Sequence, residues 1–120
     1  MKILIADDEP HIVTALEFLL VQSGYEVDVA RNGDEALARI RSGRPDLVLL
    51  DVMMPAKSGY EVCREVRASP ELAGTKVVML SAKGVQADLG MGMEAGADLY
   101  ITKPFSNREL LDKIRQLLAS

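Results

Sequence analysis

Apolar residues along this chain come in two rhythms that take turns. Ile3-Leu4-Ile5-Ala6 is a continuous apolar run that stops at Asp7, and a short run with no polar face predicts a strand covered on both sides. Ile12, Ala15, Leu16, Leu19 and Leu20 then recur at helical spacing, with Gly24 as a stop. Tyr25, Val27 and Val29 alternate with Glu26 and Asp28, which predicts a second strand with one wetter face. Asn32 with Glu35 forms a capping-box pattern ahead of Ala36, Leu37 and Ile40, and Gly43 and Pro45 end that helix. Leu47-Val48-Leu49-Leu50 is apolar throughout and stops at Asp51. Val62, Cys63 and Val66 mark the inner face of a third helix that closes near Pro70. Val77-Val78-Met79-Leu80 predicts a fourth strand stopping at Ser81, followed by a helix over Val85–Ala95. Leu99-Tyr100-Ile101 is a short fifth strand that stops at Thr102-Lys103-Pro104. Ser106 and Glu109 make a second capping box, opening a last helix through Leu110, Leu111, Ile114, Leu117 and Leu118.

Five β/α units with short connections imply an α/β fold, a parallel sheet with helices on both faces and right-handed crossovers. The continuously apolar first, third and fourth strands belong in the middle, and the alternating second and short fifth strands at the edges. That placement gives a flavodoxin-like doubly wound sheet of order 2-1-3-4-5. The 120 residues suit one domain over 1–120. With 48% hydrophobic and 27% charged residues the composition is that of a soluble globular chain. No apolar run is long enough to span a bilayer, and Asp7 interrupts the N-terminus too early for a signal peptide. A lone Cys63 excludes an intrachain disulfide and favours the cytoplasm, and one His with one Cys cannot build a usual zinc site. A net charge of −4 and a pI near 5.0 speak against nonspecific nucleic-acid binding.

Ligands of open α/β sheets bind in the crevice at the carboxyl ends of the strands. Those ends carry Asp7-Asp8, Asp51, Ser81 and Lys103, which the proposed order brings into one pocket. Carboxylates that close disfavour ionising together. A hard cation relieves the repulsion, and Mg²⁺ takes a few carboxylate oxygens along with water and phosphate. The set suits a phosphoryl group held over Mg²⁺, with one carboxylate as nucleophile forming an acyl phosphate. Singly, plainer readings serve: Asp8 as a helix N-cap, Asp51 as a turn residue, Ser81 as a cap and Lys103 as a solvated lysine. Their joint occurrence at four strand ends favours the functional reading.

The motifs ADDEP at Ala6–Pro10, LLDVMMP at Leu49–Pro55, LSA at Leu80–Ala82 and GADLYITKPF at Gly96–Phe105 carry a family resemblance. From Lys2 to Ser120 the chain resembles a response-regulator receiver domain of the chemotaxis-receiver kind, the phosphoacceptor half of two-component signalling. The resemblance implies that Asp51 is the phosphoacceptor, taking its phosphoryl group from a sensor histidine kinase or a histidine phosphotransfer protein. It implies that Asp8, Asp51 and the backbone carbonyl of Met53 hold Mg²⁺ (or Mn²⁺) directly, and Asp7 largely through water. Ser81 then bonds a phosphoryl oxygen and Lys103 pairs with the phosphoryl charge. Tyr100 matches the aromatic that turns inward when Ser81 moves, and the Lys103–Pro104 bond is expected to be cis. Phosphorylation biases the face formed by the predicted fourth helix, the fifth strand and the last helix, which is read by a downstream effector protein. His11, Thr14, Phe18 and Val21, opposite the buried stripe of the first helix, with Pro104 and Phe105, match the partner-docking surface. The domain is thus a signalling phosphoacceptor rather than an enzyme acting on other substrates. No output module follows the last helix, so the domain is expected to stand alone or to be cut from a longer regulator.

Four departures from the family pattern stand out. Ser58 replaces the usual Asp, yet still suits a cap before Gly59, and no loss of activity is expected. Gly90 and Gly92 each cost roughly 1 kcal/mol inside a helix, so the 85–95 helix is expected to open easily and to be ordered by phosphorylation, which hydrogen exchange tests. Met91 and Leu99 replace two charged residues that pair receivers of winged-helix regulators, while Glu109 and Lys113 remain, which predicts a monomer or weak dimer. Met53 and Lys83 offer no carboxylate or amide to orient an attacking water, which predicts a long-lived phosphoaspartate. Small Mg²⁺ phosphohydrolases also use a nucleophilic Asp, but they place a second Asp two residues on, where this chain has Glu9. A flavin-binding module needs a Ser/Thr-rich phosphate loop, and here that turn is acidic.

Overall fold

The computed structural model describes residues 1–81 and 96–119. Its strands are β1 (Lys2–Ala6), β2 (Glu26–Ala30), β3 (Leu47–Asp51), β4 (Lys76–Ser81) and β5 (Leu99–Thr102). The helices are α1 (Pro10–Gln22), α2 (Gly33–Gly43), α3 (Gly59–Ala68) and α4 (Asn107–Leu118), with a 3-10 turn at Pro70–Leu72. The sheet is parallel throughout and ordered β2-β1-β3-β4-β5, as the patterning predicts. The helix expected over 85–95, with Gly90, Met91 and Gly92, and the nearby Lys83, lie outside the described residues.

Alternate residues of each strand serve opposite cores. Leu4, Val48, Leu50, Val77 and Met79 pack with Ala36, Leu37 and Ile40 of α2 and Val62, Cys63 and Val66 of α3. Ile3, Ile5, Leu47, Leu49, Val78 and Leu80 pack with Val13, Leu16 and Leu20 of α1 and Leu110 and Ile114 of α4. Being covered on both sides, β1, β3 and β4 are apolar on both faces, while β2 and β5 at the edges are only half-buried. On α1 the buried stripe runs through Val13, Leu16 and Leu20, and Ala15 is exposed. Ala15 stands about 200° around the helix from Val13, so its place outside the stripe corrects the pattern drawn from sequence.

The three caps signalled by sequence form. Asn32, Ser58 and Ser106 accept side-chain bonds from the N–H groups of Glu35 (2.8 Å), Glu61 (3.3 Å) and Glu109 (3.0 Å). Gly24 stops the chain after α1 with φ +93°. After α2 the left-handed residue is Arg44 (φ 44°) rather than Gly43, and the Arg44 N–H donates to the Ile40 carbonyl.

Where the strands begin, carboxylates close the backbone. Asp46 Oδ2 accepts from the Lys2 N–H and Asp98 Oδ2 from the Val77 N–H, each at 2.8 Å. Arg67 of α3 donates to Asp98 Oδ2 (2.6 Å), to the Thr75 carbonyl (2.7 Å) and to the Gly96 carbonyl (2.7 Å). One guanidinium therefore ties α3 to the start of β4 and the approach to β5.

Candidate functional site

At the opposite end of the sheet three backbone bonds carry the strand ladders one residue further. The Asp7 N–H donates to the Ala30 carbonyl (3.1 Å), the Val52 N–H to Leu80 (3.0 Å) and the Lys103 N–H to Ser81 (2.6 Å). This extension fixes the backbone beneath Asp7, Asp51, Ser81 and Lys103, so their side chains start from rigid positions.

Asp7 is fully buried, Asp51 and Ser81 are nearly so, and Asp8 is exposed at the mouth. One carboxylate oxygen from each of Asp7, Asp8 and Asp51 lies within 4.8 Å of the others. Lys103 Nζ stands 3.0 Å from Asp7 Oδ2 and 3.7 Å from Asp51 Oδ1. Asp7 Oδ1 accepts from the Glu9 N–H at 2.9 Å, so both Asp7 oxygens hold protein donors. The N-cap position of α1 is Glu9, with no side-chain cap bond, so Asp8 is not the cap of that helix.

Burial, then the charge of Asp7, pushes the Asp51 carboxyl up to about 6, against the opposing pull of Lys103 and the Met53 N–H. Burial depresses Lys103, but its bond to Asp7 and the charge of Asp51 hold it above its ordinary range. Among the described residues three carboxylates face one ammonium, an excess of negative charge. Its donor set, oxygen only and partly open to water, fits a hard divalent cation such as Mg²⁺.

The loop after Asp51 turns sharply. The Pro55 carbonyl accepts from the Lys57 N–H (2.9 Å) around Ala56, whose φ of 70° makes a γ-turn. Ser58 then caps α3, and Gly59 rests on Asp51 so closely that a Cβ there would overlap the Asp51 carbonyl oxygen. The Met53 side chain is 73% exposed beside this turn.

The Lys103–Pro104 bond is cis. Tyr100 of β5 is half-buried against the α2/α3 core, with its hydroxyl 3.4 Å from that of Tyr60. Tyr60 escaped the sequence reading, although a buried tyrosine hydroxyl calls for a polar partner. His11, Thr14, Phe18 and Val21 are all exposed on α1, and Phe18 (68%) and Val21 (55%) line a shallow groove with Thr14, Glu17 and Gln22. Pro104 is exposed too, whereas Phe105 is half-buried against the α1/α4 core.

The response regulator receiver domain family model matches residues 3–115. The response regulator TrrA of Thermotoga maritima, solved with Mg²⁺-BeF, is 41% identical with a TM-score of 0.84, and the match covers 97% of each chain. The receiver domain of a Syntrophus aciditrophicus signal transduction histidine kinase is 36% identical with a TM-score of 0.92, covering 98% of this chain and 89% of that one. The receiver domain of a Pseudomonas aeruginosa sensor histidine kinase, with a magnesium ion in its active-site cleft, is 30% identical with a TM-score of 0.92, covering 99% of this chain and 98% of that one.

Proposed function

Because this chain belongs to the response regulator receiver domain family of two-component signalling, we propose that Asp51 accepts a phosphoryl group from the phosphohistidine of a sensor histidine kinase or a histidine phosphotransfer protein. The gathering of Asp7, Asp8 and Asp51 beside Lys103 is the observation that supports it most. Asp51 stays mostly ionised at neutral pH despite its burial. One of its oxygens attacks the phosphorus in line, the new O–P bond forming as the N–P bond breaks, and the bonding pair leaves with the imidazole nitrogen. Asp8, Asp51 and the Met53 carbonyl would hold Mg²⁺ or Mn²⁺, and Asp7, with both oxygens engaged by Glu9 and Lys103, would act largely through water. When bound, the cation supplies charge neutralisation for the phosphoryl oxygens and carboxylates. Lys103 turns from Asp7 toward the phosphoryl charge, the Ser81 hydroxyl donates to a phosphoryl oxygen, and Tyr100 packs inward behind it.

The readout is a protein–protein one, through β5, α4 and the 85–95 segment to a downstream effector. The acidic balance of the chain favours such partners over nucleic acid. The proposed setting is the cytoplasm and the proposed state a monomer or weak dimer, since Leu99 stands where a pairing charge is usual. Intact-mass spectrometry after incubation with acetyl phosphate and Mg²⁺, beside Asp51→Asn, tests the reading. A Mg²⁺-dependent gain of one phosphoryl group on the wild type alone is the expected result. Failure with both acetyl phosphate and phosphorylated kinases would leave the domain a plain interaction module.

A further inference from the structure

Tyr60 and Tyr100 stand forty residues apart in sequence, yet their hydroxyl oxygens lie 3.4 Å apart. Tyr60 is the second residue of α3, 7% exposed and part of the α2/α3 core, so packing holds its ring in place. Its root is fixed as well. Gly59 sits against the Asp51 carbonyl and donates its N–H to the Val52 carbonyl at 2.9 Å, which clamps the first turn of α3 onto the end of β3. Tyr100, by contrast, lies on the edge strand β5 and is only half-buried, so its ring has solvent available as an alternative. A rigid hydroxyl facing a ring that can leave is the arrangement of a stop and a moving part.

We propose that Tyr60 is a positioning residue that holds the Tyr100 ring inward before Asp51 is modified, raising the resting population of the inward state. The inference rests on the reading of Tyr100 as the switch aromatic. A neutral hydroxyl pair of this length shifts such a ratio by about threefold. The role belongs to the hydroxyl alone, since a phenylalanine at 60 would fill the same core.

The test uses the full chain labelled with 3-fluorotyrosine, whose three tyrosines, Tyr25, Tyr60 and Tyr100, give separate ¹⁹F resonances, with Tyr100 assigned through Tyr100→Phe. In Tyr60→Phe the unmodified chain is expected to show the Tyr100 resonance moved toward its solvent-exposed position, by about a threefold fall in the inward-to-outward ratio. Tyr25, which packs against the α1/α4 core, is expected to stay in place, and beryllofluoride with Mg²⁺ to drive the Tyr100 signal back. A merely structural Tyr60 would leave the Tyr100 resonance unmoved in Tyr60→Phe while it still responds to beryllofluoride, and that overturns the proposal alone. A Tyr100 resonance deaf to beryllofluoride in the wild type, with the bound beryllofluoride signal present, overturns the switch reading and the proposal with it. Should Tyr60→Phe fold poorly, Tyr100→Phe cuts the same contact from its exposed side, and a shifted Tyr60 resonance then supports the pairing, while an unshifted one overturns it.

Discussion

Asp51 is held between two demands. It must be ionised to act as a nucleophile, yet burial and the neighbouring Asp7 raise its carboxyl to about 6. A folded-state value above the unfolded one means that the folded chain binds the proton more tightly, so stability falls as pH rises from about 4 to about 6. Without divalent cation, Asp51→Asn should therefore stabilise the protein at pH 7 by about 1–2 kcal/mol, water at the cleft mouth screening part of the effect. The gain should vanish near pH 4, and urea unfolding in chelator at the two pH values measures it. Met53 bears on the later life of the modified residue. Its thioether projects beside the loop after Asp51 and gives an incoming water neither a base nor an amide acceptor. The phosphoryl group should therefore persist when no partner is present, and Met53→Asn should shorten its lifetime several-fold in a mass-spectrometric time course.

Among the elements, what could be read from sequence and what could not divide along a physical line. The strand order was legible because a strand covered on both faces must be apolar on both, as β1, β3 and β4 are, and the edge strands β2 and β5 lack that property. The acidic and basic strand ends were legible because polar residues interrupt apolar runs there. Caps were legible since Asn32, Ser58 and Ser106 each bond an N–H three residues on. Contacts with no local signature were not, and the Tyr60–Tyr100 approach is one. The left-handed turn at Arg44 is another, since the adjacent Gly43 advertised that conformation more strongly. Ser58 shows that a cap need not be acidic here. Ser58→Ala should lower stability by about 1 kcal/mol, a fall of roughly 4 °C in thermal midpoint for a chain of this size. Ser58→Asp should match the wild type or exceed it by a few tenths of a kcal/mol, through its charge at the helix N-terminus.

At the scale of the whole molecule, the two cores separate two tasks. The face of α1 opposite its core presents Phe18 and Val21, exposed large apolar side chains among the described residues that belong to neither core. Phe18→Ala should change stability by no more than about 0.5 kcal/mol and leave modification by acetyl phosphate intact, while slowing transfer from a phosphorylated kinase. A wild-type rate from the phosphorylated kinase as well would show that this face does not dock the donor. The other core is closed at its far end by Arg67, and this clamp has a bearing on how the chain folds. Its three bonds bridge 8, 29 and 31 residues of sequence. The longer two close large loops, an entropic cost that the expected folding order defers until after the barrier. Removing them with Arg67→Met should thus leave refolding nearly unchanged and appear as faster unfolding in a chevron plot. The guanidinium would then set how long the folded state lasts, and have little say in how quickly it is reached.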